Sequence, residues 1–534
     1  MFFVILIVLL ASVIWKIRDI ARYYLATSPL DNIPGPKSPS FWAGNIGLLF
    51  DSKQGFKHHE EVSKYGPVSR ISGPCGTRAL YIYDPAALRS ILLDNQSIFD
   101  HAPWILARNQ ILFGPSVFST VGEQHRRQRR LLNPAFAAQS LKRLTPLFYE
   151  VAHQLRKGMA AELNGRAGEL DILLWSARAA VEGIAHGGFG QSFNSFAKTT
   201  DVHPIGKALK DLVPALTKLN MFQPIVTYFN QMGSGAFRRR LVEMAPFENI
   251  QRMRWVVDTM VETSTGILRR KLEDLRGGDT CSTDMLSGLL RRDQKSKDDF
   301  SEEELVAQIS SMLFGGADTT SNAMARILQL LAEHPDAQDK LRAELSAESE
   351  TGDIPHDRLL ELPYLDAICR ETLRLYPPAP MALREPSADT TLPLLHPIVA
   401  LDGQLMDSVP LPKGTMIMIS ILSCNRNEAI WGEDALEWKP ERWLSPLPDT
   451  VTEARVPGVY SNLLTFLAGS RSCIGFSFSQ LEMKILLSIL LTAFKFAPTE
   501  HKIIWNMGAV NFPTSDIFDK SARLPLQIEI IRPS

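Results

Sequence analysis

A cysteine in a loop of small residues limits most strongly what this chain can fold into. Residues 466–475 read FLAGSRSCIG, and an apolar helical pattern follows over residues 476–494. The N-terminus of a helix stabilises a thiolate, and glycines let the backbone approach a flat ligand closely. A single cysteine is more often a small buried apolar residue. A chance match to so many fixed positions is rare, however, so the loop indicates a ligand-binding thiolate. The fixed positions are Phe466, Gly469, Arg471, Cys473 and Gly475.

Two adjacent glycines interrupt a long apolar-periodic stretch over residues 305–334. Ser301 and Glu304 form a capping box just before this stretch, which predicts that a helix begins there. A glycine inside a helix costs about 1 kcal/mol relative to alanine, so Gly315 and Gly316 need a compensating role. Close packing of another helix is one explanation, and a ligand groove is the other. Thr319 can also bond back to an upstream carbonyl and distort the helix locally.

Two further motifs carry charge. Glu371 and Arg374 share one face of a helical pattern over residues 364–376. Alone, an exposed pair of this kind is common and contributes only ~0.3–0.5 kcal/mol. Residues 122–130, GEQHRRQRR, form a basic cluster whose charge pattern favours a solvated helix face. Strand-like runs at residues 79–83 and 415–421 are short, so we expect a mainly helical chain with a minor sheet.

These motifs, in this order along nearly the whole chain, resemble those of the cytochrome P-450 family, in the style of a microsomal fungal member. The resemblance implies the cytochrome P-450 fold, mainly α with minor β, and an enzyme that uses haem b. It implies that the Cys473 thiolate binds the haem iron, a ligand that favours O–O cleavage. Asp318 and Thr319 match the acid–alcohol pair that delivers protons during oxygen activation. The fold-supporting network of the family, which takes no chemical step, matches Glu371, Arg374 and Arg442.

The resemblance also implies which residues surround the haem. Phe466, Gly469 and Gly475 belong to the cysteine loop that carries Cys473. Arg129 of the basic cluster matches an arginine that binds a haem propionate. His125 stands where a tryptophan is usual, which is a departure from the family pattern. Arg384 and Arg471 are further propionate candidates, because arginine pairs bidentately with carboxylates.

By the same resemblance, the substrate pocket is mainly apolar, which suits a lipophilic small molecule such as a terpenoid or another secondary metabolite. O2 and NADPH are the expected co-substrates. No Gly-x-Gly-x-x-Gly motif follows a strand, so the electrons must come from another protein. The resemblance implies that this protein is NADPH-cytochrome reductase, with cytochrome b5 as a further candidate donor. The expected pocket residues are Phe113, Phe118, Phe314, Met381, Leu383 and Val510.

Other functions stay open at this point. One is a steroid or fatty-acid hydroxylase, and another is a haem-thiolate isomerase that rearranges peroxides without a reductase. A membrane-anchored haem carrier or sensor is the third. The acid–alcohol pair argues against the last two, because neither needs protons to be delivered.

An uncharged apolar run, FFVILIVLLASVIW, occupies residues 2–15 and is followed by Lys16, Arg18 and Arg22. With snorkelling side chains, a helix to about residue 20 spans the ~27 Å hydrocarbon core of the endoplasmic-reticulum bilayer. A cleaved signal peptide is the alternative, but it places positive charge before the run. We therefore expect a single-pass anchor at residues 1–25 and a Pro-rich hinge at 26–40. The positive-inside rule then puts a haem-binding monooxygenase domain, residues 41–534, in the cytosol beside membrane lipid of the endoplasmic reticulum.

Charge and cysteine content exclude other classes of protein. Lys and Arg total 57 and Asp and Glu total 58, so the net charge of -1 provides no global field to hold nucleic acid. The five cysteines are widely spaced and include no CxxC pair. They do not indicate a disulfide framework or a structural zinc site, and they favour a reducing compartment.

Overall fold

Helices dominate the structure, a computed structural model that describes residues 26–193, 196, 203–219, 223–277, 284–293, 300–350, 352–460, 462–516 and 521–531. The predicted anchor, residues 1–25, lies outside the described residues. The α-helices in chain order are α1 (Ile46–Leu49), α2 (Gly55–Ser63), α3 (Pro85–Arg89), α4 (Pro103–Phe113), α5 (Gly122–Leu132), α6 (Ala138–Leu163), α7 (Ile172–Gly183), α8 (Pro204–Lys218), α9 (Gln223–Gln231), α10 (Gly235–Met244), α11 (Glu248–Arg276), α12 (Met285–Asp293), α13 (Glu302–Glu333), α14 (Pro335–Glu348), α15 (His356–Glu361), α16 (Pro363–Leu375), α17 (Ile421–Asn425), α18 (Glu428–Trp431), α19 (Asp449–Ala454) and α20 (Phe476–Ala493).

The sheets are small and lie mostly at the two ends of the chain. The strands are β1 (Val68–Ser72), β2 (Arg78–Ile82), β3 (Phe99–Asp100), β4 (Gly168–Asp171), β5 (Met381–Pro386), β6 (Thr390–Val399), β7 (Leu405–Leu411), β8 (Met416–Ser420), β9 (Phe494–Ala497), β10 (Ile504–Asn506), β11 (Phe512–Thr514) and β12 (Pro525–Ile530). The largest sheet has the order β1-β2-β8-β5-β3, and only β2 and β8 run parallel within it. The other sheets are β4-β12-β9, β6-β7 and β10-β11. The expectation of a mainly helical fold with minor sheet is confirmed.

Helix α13 crosses the core. Its 32 residues span roughly 48 Å at 1.5 Å per residue, and it packs against α7 and α11. The predicted capping box is present, because the Ser301 hydroxyl accepts from the Glu304 N–H and the Glu304 carboxylate accepts from the Ser301 N–H, both at 3.1 Å. The box starts the helix at Glu302, a few residues before the apolar pattern begins.

Helix α20 is the only helix of the described ranges that is long and apolar enough to cross a membrane. Two-thirds of it, 67%, is buried within the fold, where it packs against α6 and α14. Its apolar surface is therefore covered by the protein itself, as expected of a core helix.

The predicted hinge is bonded to the globule. A short 3-10 turn covers Pro29–Asn32, and the side chains of Leu30 and Ile33 are buried. The Asp31 carboxylate accepts from Arg78 of β2 at 2.8 Å and from Arg70 of β1 at 3.2 Å. This segment is held against the sheet by burial and by paired charges, in addition to the stiffness of its prolines.

A buried ion pair within α16 is hydrogen-bonded to the segment after α18. Glu371 and Arg374 are fully buried, and Arg374 Nη2 lies 2.8 Å from Glu371 Oε1. The same carboxylate accepts from the Lys439 N–H and from Trp443 Nε1, both at 3.0 Å, and from Arg442 Nε at 3.4 Å. The structure thus brings Glu371, Arg374 and Arg442 together, and the pair is buried where its spacing alone allowed an exposed one.

The network continues to the loop that carries Cys473. Arg374 Nη1 donates to the carbonyls of Asn425 at 3.1 Å and Ala435 at 2.6 Å. The Asn425 amide donates to Thr465 Oγ1 at 2.8 Å, and that hydroxyl donates to the Leu373 carbonyl at 2.8 Å. Thr465 directly precedes the cysteine loop, so the ion pair fixes the start of the loop.

We expect Glu371→Ala to lower the free energy of unfolding by about 3–5 kcal/mol, because it leaves the buried Arg374 guanidinium without its carboxylate. Chemical denaturation followed by circular dichroism measures the change. The matched control is Glu123→Ala, which removes an exposed pair with Arg126 and should change the stability by less than about 1 kcal/mol. Equal stability of the two variants would contradict the structural role of Glu371.

Candidate functional site

One cavity lies between the cysteine loop and helix α13. Cys473, Phe466 and Gly475 line one wall, and Gly315, Gly316 and Thr319 are among the residues that line the other. The sequence therefore predicted both walls, although they are far apart in the chain. A slot with a thiol on one side and side-chain-free backbone on the other suits a flat ligand.

The cysteine loop is held by backbone bonds and aromatic packing. The Cys473 N–H donates to the Phe466 carbonyl at 2.9 Å, and the Phe466 ring packs edge-on against Phe476 with centroids 4.9 Å apart. Gly469 has a positive φ of 69°, and a Cβ there would lie 1.9 Å from the Leu92 carbonyl oxygen. Only glycine fits this contact, which explains one fixed position of the motif.

The Cys473 thiol faces the cavity at the start of α20. It is exposed toward that space, yet shielded from bulk solvent by the surrounding protein. This desolvation raises the pKa of the Cys473 thiol, whereas the Gly475 N–H and the Arg129 charge act to lower it. The position at a helix N-terminus is that of a thiolate that binds a cationic centre.

Helix α13 satisfies both explanations of its glycines. A Cβ on Gly316 would lie 3.4 Å from the side chain of Ile184, and one on Gly315 would lie 3.4 Å from the Phe118 ring. Both glycines also line the cavity. Thr319 Oγ1 donates back to the Gly315 carbonyl at 2.8 Å, as the sequence predicted.

Asp318 lies beside this wall without lining the cavity. It forms no salt bridge within the described parts of the chain, and burial raises the pKa of its carboxyl to about 7. A carboxyl whose pKa is raised toward neutral can both give and take a proton near neutral pH.

Positive charge collects at one edge of the cavity. His125, Arg129 and Arg471 line it, and burial lowers the pKa of His125 to about 4, so its ring is neutral at pH 7 and can donate one N–H. Arg384 is 1% exposed and lies close to Arg471, so the two charges repel. Such a cluster attracts carboxylates.

The three arginines differ in what they can still bind. The terminal nitrogens of Arg471 donate to Asp100 at 2.8 Å and to the carbonyls of Val117 and Thr120. The buried Nη2 of Arg384 has no partner among the described residues. Arg129 Nη1 donates to the Ser472 carbonyl at 2.9 Å. Arg471 thus serves mainly to tie the loop to β3, and Arg384 keeps a free donor.

These residues fit haem, the cofactor that the sequence resemblance implies. The Cys473 thiol offers an iron ligand, and the glycines of α13 leave space for a flat ring. His125 and Arg129 line the cavity and offer donors for propionates, and the unpaired nitrogen of the buried Arg384, which does not line it, is a further donor near Arg471.

The predicted pocket residues divide into two groups. Phe118 lines the cavity, and the Phe113 ring packs against it at 5.5 Å and against Phe314 at 5.3 Å. Met381 and Leu383 pair with β8, and Val510 lies in the turn between β10 and β11. These three do not line this cavity, nor do Phe113 and Phe314, so all five stay predictions for the substrate pocket. Gly469 does not line the cavity either, since it is pressed against Leu92.

The sequence did not predict two residues of the site. Asp100 pairs with Arg471, and Asn322 contacts Asp318 on the next turn of α13. The sequence does indicate Asn322, since a polar amide stands in an apolar stretch four residues after an acid. No local pattern indicates Asp100, because its partner lies hundreds of residues away in the chain.

Comparison with known proteins agrees with this geometry. The sequence profile of the cytochrome P-450 family matches residues 34–510. Cytochrome P-450 monooxygenase 91 of Postia placenta is 41% identical over 98% of both chains, and monooxygenase 219 of the same fungus is 42% identical over 97% of both. Ganoderic acid synthetase of Ganoderma lucidum is 42% identical over 92% of both chains. The chain therefore belongs to the cytochrome P-450 family and is a haem-dependent monooxygenase that uses O2.

Proposed function

We propose that this enzyme oxidises a lipophilic small molecule, a terpenoid or another secondary metabolite, with electrons that NADPH supplies through NADPH-cytochrome reductase. The observation that carries the proposal is a single cavity lined by the Cys473 thiol on one side and by Gly315, Gly316 and Thr319 on the other. Haem bound there supplies the activation of O2 and the insertion of one oxygen atom. In this proposal Cys473 holds the iron, and His125, Arg129 and Arg384 hold the propionates.

Aromatic side chains line and back one wall of the cavity. Phe113 is 5% exposed, and its contacts with Phe118 and Phe314 form a continuous apolar surface beside α13. An apolar wall favours an apolar substrate and, once water is excluded by the bound substrate, strengthens the electrostatic interactions inside the site. This supports a lipophilic molecule over a polar one.

Proton delivery falls to the chain's own residues. The Thr319 hydroxyl donates to the Gly315 carbonyl, which leaves its oxygen lone pairs free to accept. Asp318 is adjacent in sequence but outside the cavity, so a water molecule has to connect the two side chains. The near-neutral pKa of Asp318 allows it to pass on a proton and to be reprotonated from solvent.

The relatives support the substrate class only in outline. One relative that is 42% identical carries ganoderic acid in its name, which favours a secondary metabolite for this chain as well. A steroid or fatty-acid hydroxylase would use the same apolar cavity. A peroxide-rearranging isomerase would need neither a reductase nor the acid–alcohol pair.

The decisive test incubates the full chain, NADPH and a fungal reductase with a panel of terpenoids, steroids and fatty acids, read by mass spectrometry. We expect a terpenoid product heavier by one oxygen atom, which disappears without NADPH. Cys473→Ser should lose both this product and the red-shifted absorption of the reduced carbon monoxide complex, because a neutral hydroxyl does not replace the thiolate. Turnover of a lipid peroxide without NADPH would instead establish the isomerase.

Thr319→Ala should reduce the product formed per NADPH at least roughly tenfold and release hydrogen peroxide in its place, because a hydroxyl in the proton path is lost. Parallel assays of NADPH, product and peroxide measure this. Thr492→Ala is the matched control, since its hydroxyl also donates back to a helix carbonyl, that of Ser488 at 2.8 Å, far from the cavity. An unchanged amount of product per NADPH in Thr319→Ala would refute the role of the hydroxyl.

We also propose that the chain is anchored in the endoplasmic-reticulum membrane by residues 1–25, with its catalytic part in the cytosol. The apolar run at residues 2–15 and the positive residues after it support this placement. A chain that begins at Ala26 keeps the contacts of Asp31 and should lose most of its membrane binding in a flotation assay, with its carbon monoxide spectrum intact. Full retention on membranes would show that residues 1–25 are not the anchor.

A further inference from the structure

Asn322 occupies an unusual place on helix α13. Asparagine is a poor helix former, yet it stands in the middle of a long helix at 4% exposure. Its Nδ2 donates to the Asp318 carbonyl at 2.8 Å and lies 3.4 Å from Asp318 Oδ1. Residues four apart lie on the same helix face, so the amide stands directly beside the carboxyl.

The amide also has an unused polar atom. Its Oδ1 is buried and has no hydrogen-bond partner within the described residues. A buried acceptor without a donor is costly, and a water molecule between polar groups usually satisfies it. The side chain therefore offers a donor to Asp318 and an acceptor to water in one rigid unit.

We propose that Asn322 is a positioning residue for the Asp318 carboxyl group, which it holds in one orientation beside a bound water through which protons reach Thr319. The proposal rests on the proposed function of Asp318 and Thr319 in proton delivery. The bond to the main-chain carbonyl fixes the amide, and the amide in turn limits rotation of the carboxyl.

A neutral partner suits this task better than a charged one. An arginine or lysine at position 322 would stabilise the carboxylate and lower its pKa far below neutral. The amide donates a hydrogen bond without adding a charge, so burial remains the dominant effect on Asp318, with a pKa of about 7.

Asn322→Leu tests the inference, because leucine has a similar size without a donor or an acceptor. Removing the donor destabilises the carboxylate, so we expect the midpoint of Asp318 protonation to rise by roughly one pH unit, a tenfold gain in proton affinity. The infrared C=O stretch of the protonated carboxyl, titrated in the full-length resting enzyme, measures this midpoint without turnover. Asp318→Asn identifies the band by removing it.

Ser321→Ala is the matched control. The Ser321 hydroxyl donates to the same Asp318 carbonyl, at 3.0 Å, and not to the Asp318 carboxyl. It should leave the midpoint unchanged. If Asn322→Leu does not fold with haem, Asn322→Asp keeps the shape and should raise the midpoint further, because two carboxyls then share the site.

A midpoint in Asn322→Leu equal to that of the wild type would overturn the inference. The pH profile of product formed per NADPH should move upward together with the infrared midpoint. If Asp318→Asn forms as much product per NADPH as the wild type, the proposed role of Asp318 in proton delivery is wrong instead. The two failures are distinguishable, because the infrared titration does not depend on turnover.

Discussion

The Glu371–Arg374 pair is the interaction on which the geometry of the site depends. Both side chains are fully buried, and such a pair stabilises a fold only when the remaining donors and acceptors are also satisfied. Here they are, because the carboxylate accepts from the segment after α18 and the guanidinium donates to the carbonyls of Asn425 and Ala435. The Asn425 and Thr465 side chains continue the network to Phe466, whose carbonyl receives the Cys473 N–H. The direction of the thiol is thus set by charges that take no part in chemistry.

The two walls of the cavity are built in different ways. The cysteine wall is a loop with one short 3-10 turn, held by Gly469 against Leu92 and by Arg471 against Asp100. The opposite wall is a regular helix that gains space by omitting side chains at two positions. A loop can aim one atom, and a helix can present a long even surface. The combination places a thiol beside a flat slot.

Much of the fold and of the candidate site could be predicted from the sequence, because the motifs that indicate them are local. A capping box, a glycine pair and a cysteine at a helix start each concern a few consecutive residues. The burial of Glu371, the Asp100–Arg471 pair and the true lining of the cavity depend on contacts between distant segments, on which spacing gives no information. The spacing placed Glu371 and Arg374 on one helix face but did not decide between a buried and an exposed pair, since the same interval is compatible with either environment. Spacing likewise gives no information on whether Met381, Leu383 and Val510 contact the substrate, because apolar residues near a site are just as often core.

The hinge segment has a mechanical consequence. Asp31 is paired with Arg70 and Arg78, and Leu30 and Ile33 are buried, so the residues after Ala26 are attached to the sheet. A force applied at the beginning of the described chain is therefore transmitted to β1 and β2. If that end is tethered, the sheet and its tether turn together.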